Sequence, residues 1–280
     1  MKNLNGEQKL LSKNILKLKN LSVAILYGLI GLIALAVLFP SVFTPHDPYG
    51  LDVINRLKAP SLNHLFGTDE GGRDIFSRVI QGARVSVGSS ILIVGLSASF
   101  GTFFGAIAGW FGGLLDTLLM RVVDVFLSFP YLVLAMALAA SIGRDMRSSI
   151  LALALVWWPG YARMVRGQVL SIKAKLFIRA SRSLGATNGN LLLWHVIPHT
   201  SRAVAVRMSL DIGYVLIALT GLSFLGLGAQ NPSPEWGLMV SNAKSYISVA
   251  WWYSFFPGLA IVLIVSLFVS FGDRLSRDYI

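Results

Sequence analysis

Residues 85–110 read VSVGSSILIVGLSASFGTFFGAIAGW, without one charged side chain. A helix that crosses a bilayer needs about 20 mostly apolar residues, so this run can cross while tilted or partly outside the hydrocarbon. The rest of the chain agrees with that reading. Of the 280 residues, 55% are hydrophobic and 13% charged, where a soluble domain usually carries about 25% charged residues. Too little polar surface remains to cover a water-soluble particle. An ordinary soluble enzyme, a disordered chain and a disulfide-stapled module are therefore excluded. The absence of cysteine also removes thiolate catalysis, iron–sulfur clusters and cysteine-ligated zinc.

Five further apolar runs flank it: Leu21–Phe39, a stretch within Leu114–Ala140, Ser149–Met164, Ala203–Leu225 and Tyr253–Gly272. Leu114–Ala140 is too long for one straight span, which places its first turns at the interface. Ser149–Met164 is short and interrupted by Trp157, Trp158 and Pro159. The expected fold is all-α and polytopic, with six transmembrane helices. Its divisions are a cytoplasmic tail (1–20), a first transmembrane helix (21–41), an extracytoplasmic loop (42–84) and a five-helix core (85–280). The Lys-rich front of the first run imitates a signal peptide. Its apolar part is too long, and Ala34-Leu35-Ala36 lies inside the run rather than after it, so an uncleaved helix is the better reading.

The net charge of +11 reads as membrane orientation. With the amino terminus inside, 16 of the 24 basic residues fall on the inner side, and seven acids nearly balance the eight outside. Basic residues accumulate on the cytoplasmic side, so both termini are expected there.

Residues 175–198, on that side, read KLFIRASRSLGATNGNLLLWHVIP. Leu176, Phe177, Ala180 and Leu184 can share one helical face. Gly185 offers the left-handed conformation that ends a helix. Thr187 can cap a second helix, Asn188–Val196, limited by Pro198. Physical chemistry alone favours the plainer reading of this helix–turn–helix, an amphipathic element following the bilayer surface.

The segment resembles the coupling loop of ATP-binding-cassette importer permeases, whose pattern is Glu-Ala-Ala-x-x-x-Gly, then Ile or Leu and Pro further on. Arg179, Ala180, Ser181, Gly185, Ile197 and Pro198 occupy those places, with Ala186 beside them. Two more stretches, His64–Arg78 (HLFGTDEGGRDIFSR) and Leu222–Gly237 (LSFLGLGAQNPSPEWG), resemble the dipeptide/oligopeptide/nickel-type permeases, specifically the C-type partner. The likeness runs from about Asp47 to the end. It implies a permease subunit working with a second homologous permease, two ATP-binding-cassette ATPases and an extracytoplasmic substrate-binding protein, in a bacterial or archaeal cytoplasmic membrane. ATP and Mg would sit on the ATPases, and the permease itself would hold no cofactor. The substrate implied is a dipeptide or oligopeptide, with glutathione and nickel chelates as alternatives. One departure stands out: Arg179 replaces the usual acid, so no salt bridge of that acid carries over.

Other features read more plainly. Gly67–Arg78, with three acids and two arginines, fits an ion-paired cap before the second span rather than a metal site, because it has no His or Cys neighbour beyond His64. Pro232–Trp236 fits a rigid turn with an interfacial Trp. Asp211 lies in mid-span one turn after Arg207, and Asp124 follows Arg121 at i+3. Charges inside a membrane are expensive, so both acids are pathway candidates, with helix-tying as the structural alternative. Gly101, Gly105 and Gly109 fit close helix packing. No Gly-x-x-x-x-Gly-Lys loop or catalytic triad occurs, so no catalytic residue and no ATP site are expected. An ion-gradient transporter is the rival class, but it would favour internal repeats, and none is evident.

Overall fold

The computed structural model describes residues 28–277. The tail, the start of the first run and the last three residues lie outside the described part. Among the described residues the architecture is helical: α1 (Gly28–Leu38), α2 (Pro40–Phe43), α3 (Ile75–Phe111), α4 (Gly113–Leu127), α5 (Tyr131–Ile142), α6 (Met146–Lys173), α7 (Leu176–Ser183), α8 (Asn188–Leu191), α9 (Ile197–Phe224), α10 (Trp236–Ala243) and α11 (Trp251–Arg277).

Among the described residues, three helical stretches are long and apolar enough to cross a membrane: α3, the continuous rod Asn188–Phe224, and α11. Helices α4 and α5 make a fourth if their bent pair counts as one span. The six expected runs thus do not become six uniform rods. Leu114–Ala140 is broken rather than overlong, because Pro130, which cannot continue a helix inward, starts α5 after a bend of 92°. By contrast, α6 runs uninterrupted through the buried Pro159. Neighbouring helices supply hydrogen bonds on either side of it. Ser97 Oγ donates to the Ala154 carbonyl at 3.2 Å, and Arg207 Nη1 donates to the Gly160 carbonyl at 3.1 Å.

The expected stop at Pro198 is also absent. Residues 192–196 widen into a π turn, and the chain passes directly into α9 with Pro198 in its first turn. A proline ring collides with the carbonyl four residues back in a regular α-helix, and the wider turn gives that ring room.

Helix α3 is the spine, and α6 is its closest partner. A methyl group on Gly101 would stand 2.5 Å from the Trp158 carbonyl, and one on Gly105 2.4 Å from that of Ala162. The glycine stripe therefore does what its spacing predicted and lets two backbones meet. One core, around Val94, Leu153, Val165 and Leu219, joins α3, α5, α6 and α9. A second, around Ile75, Trp236, Met239 and Tyr253, joins the start of α3 to α10 and α11. Helix α4 buries only Val123 and turns Leu114, Leu118, Val122 and Val125 outward.

Candidate coupling hairpin and the charged clusters

The hairpin of residues 175–198 hangs at the end of α3 that carries Trp110. Helix α7 ends where the Ala186 N–H reaches the Ser181 carbonyl at 3.1 Å and the Gly185 N–H reaches that of Arg182 at 3.0 Å. That bond pair is a Schellman cap, which requires a left-handed residue, and Gly185 supplies it at φ +87°. Thr187 Oγ1 then accepts from the Asn190 N–H and caps α8. Ile178, Leu191 and Val196 are buried and hold the hairpin to the helices above. Lys173 and Arg182 flank the Trp110 ring at 5.7 and 5.5 Å, beside an open recess of about 630 Å³. Phe177 stacks on His199 at 5.5 Å.

The opposite surface of the hairpin is unfinished. Leu184 is 89% exposed and Trp194 74%, with Leu176 and Leu193 exposed beside them. Arg179, Ala180, Gly185 and Pro198 are exposed, while Ser181, Ala186 and Ile197 are half-buried. Arg179 forms no ion pair among the described residues.

The two candidate pathway acids fall in different settings. Asp211 is buried and pairs with Arg207 at 3.2 Å, as the spacing indicated. The same guanidinium holds the Gly160 carbonyl and covers the Tyr161 ring at 4.9 Å, so the pair ties α9 to α6. Asp124 pairs with Arg163 of α6, not with Arg121 as sequence spacing suggested, and both partners are about half exposed. A second bridge, Arg166 to Asp116 with Nη2–Oδ2 at 2.7 Å, was invisible in sequence because 50 residues separate its ends.

At the far end of α3 sits the ion-paired cap. Asp69 is fully buried, bridged to Arg73 at 2.7 Å and to Arg78 at 3.4 Å, and it accepts the Gly71 and Arg73 N–H groups. Arg78, also fully buried, donates to the Pro48 carbonyl at 2.9 Å. Burial pushes Asp69 up, against the pull of Arg78 and Arg73. Trp236 departs from its expected interfacial place: it is buried, and its Nε1 donates to the Val79 carbonyl at 2.9 Å. Glu235 is buried as well, capping α10 through the Leu238 N–H at 2.8 Å and accepting from Ser86 Oγ at 3.2 Å. His64, judged isolated in sequence, lies beside His46, with ring centroids 4.9 Å apart.

Long apolar helices and an exposed hairpin fit a membrane component, and the comparisons give its class. Residues 101–279 match the family described as binding-protein-dependent transport system inner membrane component, and the chain belongs to it. It is 41% identical over 250 residues to the probable D,D-dipeptide transport system permease protein DdpC of Escherichia coli K12, covering 89% of this chain and 84% of that one. To the nickel transport system permease protein NikC of the same strain it is 38% identical, covering 92% and 93%. Its fold is similar to an inward-facing structure of the MetNI methionine ABC transporter, with a TM-score of 0.53 and 20% identity over 69% of this chain and 94% of that one. The chain is therefore an ABC importer permease of the C-type, and not an enzyme.

Proposed function

We propose that the chain forms one half of a transmembrane pathway for dipeptides or oligopeptides, moved by alternating access. Nickel chelates and glutathione are the alternative cargoes. The DdpC likeness supports the peptide reading, and the NikC likeness keeps the chelate in view. The working complex pairs this chain with a second homologous permease, two ATPases carrying ATP and Mg, and an extracytoplasmic binding protein. The charge count supports both termini in the cytoplasm and residues 42–84 outside.

In this reading the hairpin around Arg179, Ala180, Ser181, Gly185, Ala186, Ile197 and Pro198 is the seat of the ATPase. The carrying observation is the exposed apolar edge, Leu176, Leu184, Leu193 and Trp194, on a hairpin whose angle is fixed by the Schellman cap. Because α8 continues through the π turn into α9, a push on the hairpin acts directly on a spanning helix. Such a rigid connection lets ATPase closure switch access between the two sides. Asp124, half exposed with Arg163, is the better placed pathway candidate, whereas Asp211 is enclosed by its helix tie. An ion-gradient mechanism leaves the hairpin without a purpose.

Gly185→Val tests this reading. A β-branched residue resists the left-handed conformation by about 1–2 kcal/mol or more, so the hairpin angle changes while the spans still insert. ATPase co-purification and ATP-driven peptide uptake should both fall at least tenfold at near-normal membrane levels. Full retention of both would return the hairpin to an interfacial element. Arg179→Glu, which leaves the cap intact, should be tolerated.

A further inference from the structure

The corner where residues 44–66 meet the start of α3 holds a side-chain cluster that the transport reading does not use. His46, His64 and Asp74 converge there from three separate positions, and their possible ligand atoms all lie within 4.8 Å of one another. We propose that these three residues form a binding site for a divalent transition-metal ion of the zinc kind, clamping the 44–66 segment to the first turn of α3.

The chemistry of the donors favours that class of ion. Two imidazoles and one carboxylate form a borderline-soft set suited to zinc, nickel or copper and poor for magnesium or calcium, which take oxygen ligands. Hydrogen bonds show which nitrogens face the cluster. His64 Nδ1 faces Asp74 Oδ1 at 3.0 Å, and His46 Nε2 faces the Asn63 carbonyl at 2.9 Å. Both partners can only accept, so those nitrogens carry the protons in the ion-free site, and His46 Nδ1 keeps its lone pair. An ion would replace the proton between His64 Nδ1 and Asp74 Oδ1, with the His64 proton moved to Nε2.

The backbone holds the donors in place. The His46 N–H donates to Ser77 Oγ at 3.2 Å, and the Ser77 N–H in turn donates to Asp74 Oδ2 at 2.8 Å. The His64 N–H is held by Ser61 Oγ at 3.2 Å, and its carbonyl accepts from Gly67. A cavity of about 340 Å³, lined by His46, Asn63, Leu65, Asp74 and Phe76, opens beside the cluster. Zinc bonds of about 2 Å place tetrahedral ligand atoms about 3.3 Å apart, so the widest pair must close by about 1.5 Å, a movement the exposed His46 ring can supply.

The full chain, purified without a polyhistidine tag, should be titrated with Zn²⁺ alone by calorimetry and equilibrium dialysis. One ion per chain is expected, with His46→Ala and His64→Ala each weakening binding at least tenfold and Mg²⁺ failing to compete. The remaining two histidines, His195 and His199, lie one turn apart at the other end of the molecule and provide the control. Their joint replacement by alanine should leave zinc binding unchanged. The proposal is overturned if the wild-type chain binds no zinc, if binding follows His195 and His199, or if neither His46 nor His64 affects it. The two alanine variants are independent, so one that fails to purify leaves the other to decide.

Discussion

The two ends of α3 are built on opposite principles. At the Asp74 end, charged groups are buried and matched: Asp69 meets Arg73 and Arg78, and Glu235 meets Ser86 and the Leu238 N–H. At the Trp110 end, apolar groups are exposed and unmatched: Leu184 and Trp194 stand in the open, and Arg179 pairs with no acid among the described residues. A chain that satisfied itself would bury the second set and solvate the first. The cap pairs its charges within one chain, whereas we propose that the hairpin is half of an interface.

The comparison breaks outright if both ends face the same side. The cysteine-free chain allows single-cysteine labelling, and fully exposed positions serve better than the buried Asp69 or Glu235. Leu62→Cys, 97% exposed in the 42–84 loop, should react with an impermeant thiol reagent on intact cells, and Leu184→Cys should react only after the membrane is opened. Labelling of Leu184→Cys from outside would reverse the proposed orientation.

Next in size is the contrast between Arg78 and Trp194. Arg78→Ala leaves Asp69 buried without one of its partners, which costs about 3–5 kcal/mol and should remove most folded protein from the membrane. Trp194→Ala removes an exposed ring, so membrane levels should stay normal. ATPase association should instead weaken by about 2 kcal/mol, the scale of an interface hot spot and close to thirtyfold. Reversed outcomes, with Trp194→Ala unstable and Arg78→Ala folded, would abolish the distinction. Membrane quantification and pull-down of the ATPase separate the two effects.

The parts legible in sequence were those set by short-range patterns. The glycine stripe, the Arg207–Asp211 pair and the turn at Gly185 all depend on residues within one or two helical turns, and each formed as read. What was missed depends on distant partners. Asp124 chose Arg163 over Arg121, and Asp116 found Arg166, because α4 lies along α6, which spacing along one helix does not reveal. The prolines erred in both directions for the same reason. Pro130 breaks a span, while Pro159 and Pro198 sit inside continuous helices, the second just after a π turn. Trp236 looked interfacial by its type, but Ser86 and Val79 draw it into the second core.

A smaller effect separates helix tie from pathway. Asp211→Asn removes the charge that meets Arg207, while Arg207 keeps the Gly160 carbonyl and the Tyr161 ring, so the loss in assembly should be about 1 kcal/mol. The double change with Arg207→Gln should restore uptake if Asp211 only neutralises Arg207. Uptake that stays altered in the double variant, with normal assembly, assigns Asp211 to the pathway.

The smallest effect belongs to Glu235→Gln, and its sign is informative. Burial pushes this carboxyl above its ordinary value, against the N–H groups of Gly237 and Leu238 and the hydroxyls of Ser223 and Ser86, which favour its charge. The folded state therefore takes up a proton at higher pH than the unfolded state does. Above the folded pKa the buried charge subtracts from stability; as pH falls through that value the penalty fades, and below the ordinary glutamate value it is gone. Glu235→Gln keeps an oxygen to accept from Leu238 or Ser86 and carries no charge to bury. At neutral pH the variant should melt at the same temperature as wild type or a few degrees higher, and the difference should shrink in mild acid. Glu235→Ala, which leaves the Leu238 N–H buried and unmatched, should instead lose about 1–3 kcal/mol at every pH. If Glu235→Gln is as damaging as Glu235→Ala, the charge itself holds the cap together. The two ends of α3 would then differ in exposure but share one principle, a charge that needs a partner.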